Sequence, residues 1–371
     1  MAQAFTPGLQ ILSNTLVRRI RELPLTGEVD VKVGEMVSSD TIVLRAALPG
    51  DLVLVRGPEE LGVDAEEFQQ LLKVEEGQQI AEGALIAEFR AFFGLLHSVL
   101  RSPASGTIEF IAPRTGHIGI RRPPRPMAVK AYVSGKVVAV DKGRSVTVET
   151  PAALIQGIFG VGGERVGTLR MLRIEPDAEI SPDDIPTDCS GCILVGGARP
   201  TIESLRKAAA QGAKGLVTAS IDDQCLKSYL GYDLGIALTG DEDVPMTVVI
   251  TEGFGRLPMS PRVLEVLRQL DGRAASMSGV TQVRAGAVRP ELVVPREADG
   301  SSRASQEPLV LKEGSRVRLI RFPYFGLFAD VLSLPSKPER IATGAVTRVL
   351  RARLADGKVI TVPRANVELV G

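Results

Sequence analysis

The sequence predicts a multi-domain, mainly β chain with a central α/β domain. Three observations carry this. The chain has 371 residues, while one domain ordinarily holds roughly 100–150, so more than one core is expected. Gly (38) and Pro (24) are plentiful, aromatics make up 4% and Trp is absent, a balance that suits tight turns and short strands. Between Leu172 and Pro295 short apolar runs alternate with helical periodicity, which is the pattern of strands joined by helices.

Residues 1–24 form an N-terminal segment. Leu12, Leu16, Ile20 and Leu23 stand at helical spacing, with Arg18, Arg19 and Arg21 elsewhere on the wheel. The period predicts a short amphipathic helix. A helix or strand docked on its own domain accounts for it without membrane contact. The first residues lack the charged-then-apolar order of a signal peptide, and Phe92-Phe93-Gly94-Leu95-Leu96 is far below the ~20 apolar residues that cross a bilayer. Three cysteines, an odd number, argue against a disulfide framework. A cytoplasmic chain without membrane contact is expected.

Residues 25–172 read as a β domain. Gly27 to Gly34 alternates apolar and polar residues and ends in glycine. Related phrases return at Val74–Ile86, Ser102–Ile108 and Val133–Val140. The Val74–Ile86 phrase, followed by Ser102-Pro103-Ala104-Ser105-Gly106-Thr107-Ile108, resembles the two halves of a biotinyl/lipoyl-type barrel-sandwich hybrid. Carriers of that family place a modifiable lysine in an exposed hairpin. Here that neighbourhood reads Ala87-Glu88-Phe89-Arg90-Ala91-Phe92, without lysine. The resemblance therefore implies the fold and no biotin, lipoate or other cofactor.

Residues 173–295 read as the α/β domain. Cys192–Val195 is a short apolar strand, Thr201 to Gln211 a helix with start and stop signals, and Leu216-Val217 the next strand. Met246–Ile250 and Pro261–Leu270 repeat strand and helix. Residues 296–306 are small, polar and aperiodic, a linker. Residues 307–371 are β again, with Asp356-Gly357 marking a hairpin. Glu313–Ile320, Pro323–Leu327, Gly344–Val346 and Asn366–Val370 make this part resemble a KOW/SH3-like barrel of the NusG type. The tract Val331–Ile341 is longer than the usual connection.

Charge is neutral overall, 44 basic against 44 acidic residues, which gives the whole chain no bulk attraction for polyanions. The distribution is uneven. Residues 301–371 hold 12 basic and 6 acidic residues, a net of +6. Arg316 and Arg318 share one strand face, and so do Arg351 and Arg353; Arg321, Tyr324 and Phe325 belong to the first loop. Basic strands beside aromatics suit phosphate contact and base stacking. The expected partner is nucleic acid or nucleoprotein; a protein partner, or a solvated face, is the alternative.

Other motifs carry less. Gly196-Gly197-Ala198-Arg199-Pro200-Thr201 lies between a strand and a helix, where backbone N–H groups with Arg199 could hold an anion. A tight turn with Thr201 as N-cap reads the same residues without a ligand. That turn supports the alternative function, a small-molecule-binding or enzymatic α/β protein. Cys189-Ser190-Gly191-Cys192 has the spacing of ordinary thiols, a redox pair or half a zinc site, and a second ligand pair for zinc is missing. His97 and His117 form no readable triad, Asp241-Glu242-Asp243 reads as a solvated loop, and Gly160–Glu164 as a turn or hinge. No catalytic or metal residue is expected, and the leading reading is a non-enzymatic binding or adaptor protein.

Overall fold

A computed structural model describes residues 9–91, 96–232, 242–281, 288–296, 311–319, 321, 323–324, 327–341 and 344–369. Among the described residues strand accounts for 47% and helix for 14%, in several sheets, so the fold is mainly β. No described helix is long and apolar enough to cross a membrane.

An eleven-stranded sheet forms the spine. Its order is Phe159–Val161, Thr247–Phe254, Gly215–Ile221, Cys192–Val195, Glu164–Met171, Ala274–Ser278, Glu291–Pro295, Ser145–Gln156, Gly135–Asp141 and Met36–Val37, with Ile11–Glu22 also on Ser145–Gln156. The four strands from Thr247–Phe254 to Glu164–Met171 are parallel. Three of them, Thr247–Phe254, Gly215–Ile221 and Cys192–Val195, are buried along most of their length on both faces, whereas Glu164–Met171 is only partly buried. The sheet crosses the boundary expected at residues 172–173. Ser145–Gln156 explains why: its first half pairs with Gly135–Asp141 and its second half with Glu291–Pro295.

In the N-terminal segment the helical period misleads, and the alternative of a docked strand is the one found. Ile11–Glu22 is a strand along Ser145–Gln156, not a helix. A bulge between Leu12 and Thr15 shifts the alternation, so Ile11 and Val17, an even number of residues apart, enter different cores. Ile20, counted on the apolar helical face, is 60% exposed. Sheet pairing overrides the local period here. In the Gly160–Glu164 segment, Gly160 lies in Phe159–Val161, with Gly279 backbone so close that a side chain would clash, and the turn falls at Gly162, with φ 81°, before Glu164 opens the next strand.

Around this spine the N-terminal part builds smaller sheets. Leu52–Arg56, His117–Arg121, Gly106–Ile111 and Gln79–Ile80 form one, and Arg125–Lys130, Ile42–Leu48 and Glu28–Val29 another; Leu85–Ala91 and Leu96–Arg101 make a hairpin. Two short helices, α1 (Gly57–Leu61) and α2 (Ala65–Leu71), close over Phe68, which is fully buried with Ile86, Ile108 and Ile118.

Helices α3 (Ile202–Ala210) and α4 (Asp223–Leu230) cover one face of the parallel strands, burying Leu205, Ala208 and Leu226 on Leu194, Leu216 and Val248. Helix α5 (Pro261–Arg268) covers the other with Val263, Val266 and Leu267 on Ile193, Val195 and Val217. Each buried leucine or valine among these contributes about 1.5–3 kcal/mol on burial. The expected strand–helix–strand unit is present: Cys192–Val195 and Gly215–Ile221 flank α3 and are parallel.

The C-terminal sheet has the order Val359–Pro363, Val349–Leu354, Phe328–Ser333, Arg316–Leu319, Val367–Leu369, antiparallel throughout. The hairpin turn holds Gly357 at φ 85°, and a 3-10 turn, Arg364–Asn366, precedes the last strand. Glu339–Arg340 and Val346–Thr347 pair within the long connection. Most of the expected linker, residues 297–306, lies outside the described residues.

Candidate nucleic-acid interface

Register builds this site. Arg316 stands opposite Asp330, and Asp330 opposite Arg353, which faces Val359. The four side chains form one exposed row across four strands. The Arg316 guanidinium lies 5.8 Å from the Phe328 ring centroid. Neither Arg316 nor Arg353 has an ion-pair partner among the described residues. Arg351, one step along its strand, meets Glu339 at 3.2 Å. Arg321 is exposed. Tyr324 packs half-buried on the C-terminal core, and Lys358 Nζ sits 5.7 Å from its ring centroid. Phe325 lies outside the described residues.

Arg318 corrects the sequence reading. It shares the sheet face of Arg316, as alternation requires, yet it is 4% exposed rather than solvated. Its Nη1 donates to the Glu252 backbone carbonyl (2.5 Å) and to Glu252 Oε2 (3.1 Å). Glu252 lies within the run of buried residues in Thr247–Phe254, and its Oε1 accepts from Ser260 N (3.1 Å) and Thr251 Oγ1 (3.3 Å). Burial pushes the Glu252 carboxyl up, against the pull of Arg318 and of these hydrogen bonds. One end of the basic face is thus covered by the α/β unit, and Arg318 belongs to docking. Sequence reading passed over Glu252; its signal is a charged residue inside an otherwise uncharged strand.

The Gly196–Thr201 turn lies at the carboxyl edge of the parallel strands, where α/β sheets hold ligands. Three of its backbone donors are already engaged. Gly196 N donates to Val217 O (3.0 Å), Ala198 N to Ala178 O (2.7 Å) and Thr201 N to Ile180 O (3.1 Å). Thr201 Oγ1 caps α3 by accepting from Ser204 N. Gly197 holds φ 70°, and a Cβ there would lie 2.5 Å from Ile180 Cγ1. Arg199 pairs with Glu179 (2.7 Å) and Asp222 (3.7 Å). These residues build a tight, packed turn.

His97 bonds to Glu88 (2.7 Å) across the hairpin, while His117 stands 3.8 Å from Glu59. Among the described residues no three His, Cys, Asp or Glu side chains group as a metal site. Asp241 lies outside the described residues. No protein-family model matches the sequence, and no curated protein proves similar to it.

Proposed function

We propose that this chain is a non-enzymatic binding protein that holds a nucleic-acid strand, free or within a nucleoprotein, on the exposed face of its C-terminal sheet. The observation that carries this is the Arg316–Asp330–Arg353 row. It presents two guanidinium groups without ion-pair partners, one of them over an aromatic ring. Guanidinium groups spaced along adjacent strands neutralise successive phosphates, and a neighbouring aromatic surface takes a base. Arg321, Arg351 and Lys358 extend the positive rim.

The same reading makes the C-terminal unit an SH3-like barrel of KOW type. In support, its first strand lies between the second and the fifth, and a 3-10 turn leads into the fifth. The N-terminal part is read as a barrel-sandwich hybrid, supported by its small sheets wrapped around separate apolar cores. Three free cysteines suit a reducing cytoplasm. The small-molecule alternative is weakened because the Gly196, Ala198 and Thr201 N–H groups are internally bonded.

Purifying the full chain from lysate, with and without nuclease, tests the proposal. Co-eluting nucleic acid that nuclease removes, and that Arg316→Glu with Arg353→Glu abolishes, supports it. Captured protein that nuclease leaves in place would move the face to protein recognition.

A further inference from the structure

The Cys189-Ser190-Gly191-Cys192 segment is a closed turn. Cys192 N donates to Cys189 O at 3.0 Å, and Gly191 has φ 76°. A positive φ at the third position is the mark of a type II turn, whose first and fourth Cα atoms lie within about 7 Å. Disulfides span Cα separations of about 4.4–6.8 Å, so the backbone already has the reach.

The sulfurs are on one side. Along Cys192–Val195, Ile193 and Val195 enter the core beneath α5, and Leu194 enters the core beneath α3 and α4. Alternation puts Cys192 on the face of Leu194, where it packs half-buried. Cys189 is fully buried in that same core. Its Sγ bonds to Gln211 Oε1 at 3.4 Å, and Gly191 N ties the turn to Gly212 O at 2.9 Å.

The two thiols differ in access. Cys192 reaches the surface beside Arg170, whose guanidinium holds Asp188 (2.8 Å) and also interacts with the Cys192 sulfur. Burial, and then the neighbouring Cys192, push the Cys189 thiol up.

We propose that Cys189 and Cys192 form a thiol–disulfide exchange site for low-molecular-weight disulfides, with Cys192 attacking and Cys189 resolving. Cys192 thiolate attacks one sulfur of a disulfide such as oxidised glutathione. A mixed disulfide forms and one glutathione thiolate leaves, taking up a proton. Cys189 then gives up its proton and attacks Cys192 Sγ, and the second glutathione leaves as its thiol. Two cysteine thiols are oxidised by two electrons, and one small disulfide is reduced to two thiols. Cys225, bonded to Pro200 O (3.5 Å) and pushed up to about 11 chiefly by burial, takes no part.

Mass spectrometry of the full, reduced chain after incubation with oxidised glutathione tests this. Both cysteines fall in one tryptic peptide, residues 174–206, and Cys225 lies outside it. The expected product is that peptide lighter by two hydrogens, restored by dithiothreitol, with Cys225 unmodified. Cys189→Ser should instead stop at a glutathione adduct on Cys192. An unmodified wild-type peptide, or one that retains a stable adduct and never closes, would overturn the proposal without any variant having to fold.

Discussion

The Arg318 guanidinium donates to both the side chain and the backbone carbonyl of Glu252, joining the C-terminal sheet to the end of a parallel strand in the central one. The two side chains are 4% and 7% exposed. Losing one member leaves a buried charge, which costs about 3–5 kcal/mol. Arg318→Ala should therefore lower the urea midpoint sharply. Arg318→Met combined with Glu252→Met should recover most of the loss, because an apolar pair needs no desolvation of charge. A double variant no better than the single one would mean the pair itself supplies the stability.

Glu252 also sets a pH dependence. Its folded pKa is raised, chiefly by burial, so the folded state binds its proton more readily than the unfolded state. That group's contribution is favourable at low pH and is lost as pH rises through the folded pKa. Relative to Glu252→Gln, the wild type should gain stability as pH falls through that value. Urea titrations of both proteins at several pH values check the sign; a difference that shrinks on acidification would contradict it.

The Gly196–Thr201 turn should behave as structure. Gly197→Ala sets a side chain against Ile180 in left-handed backbone and should cost about 1–3 kcal/mol. Thr201→Ala removes the α3 cap and should cost about 1 kcal/mol. Thermal unfolding of each variant measures both. Losses well below these values would release the turn from its packing role.

Much of this was legible in sequence, for local reasons. Thr201 at the start of α3, Asp356-Gly357 in the last hairpin and the apolar run Cys192–Val195 act within a few residues of themselves. What was hidden depends on distant partners. Ile11–Glu22 becomes a strand only because Ser145–Gln156 lies beside it. Arg318 looks like any alternating surface arginine until Glu252, 66 residues away, covers it. Arg316 and Arg353 were legible as basic, and Asp330 between them was not, because register is a tertiary fact.

The docking pair bears on proteolysis. Residues 297–306 are small and polar, which favours cleavage there by trypsin at Arg303. After cleavage the C-terminal fragment should co-elute with the rest of the chain on gel filtration, and Arg318→Ala should release it. Separation of the wild-type fragments would show that the Glu252 contact does not hold the units together.

The most direct test of nucleic-acid binding is a fluorescence anisotropy titration of the full chain with single-stranded and duplex RNA and DNA at two salt concentrations. Arg316→Glu, Arg353→Glu and their combination should be compared with the wild type. Both positions are exposed, so stability should stay within about ±0.5 kcal/mol. Affinity for at least one nucleic acid should fall steeply with salt, and removing a phosphate contact should reduce the salt slope by about 1. The double reversal should abolish binding at the higher salt. Absence of binding at low salt, or binding indifferent to both reversals, would contradict the account.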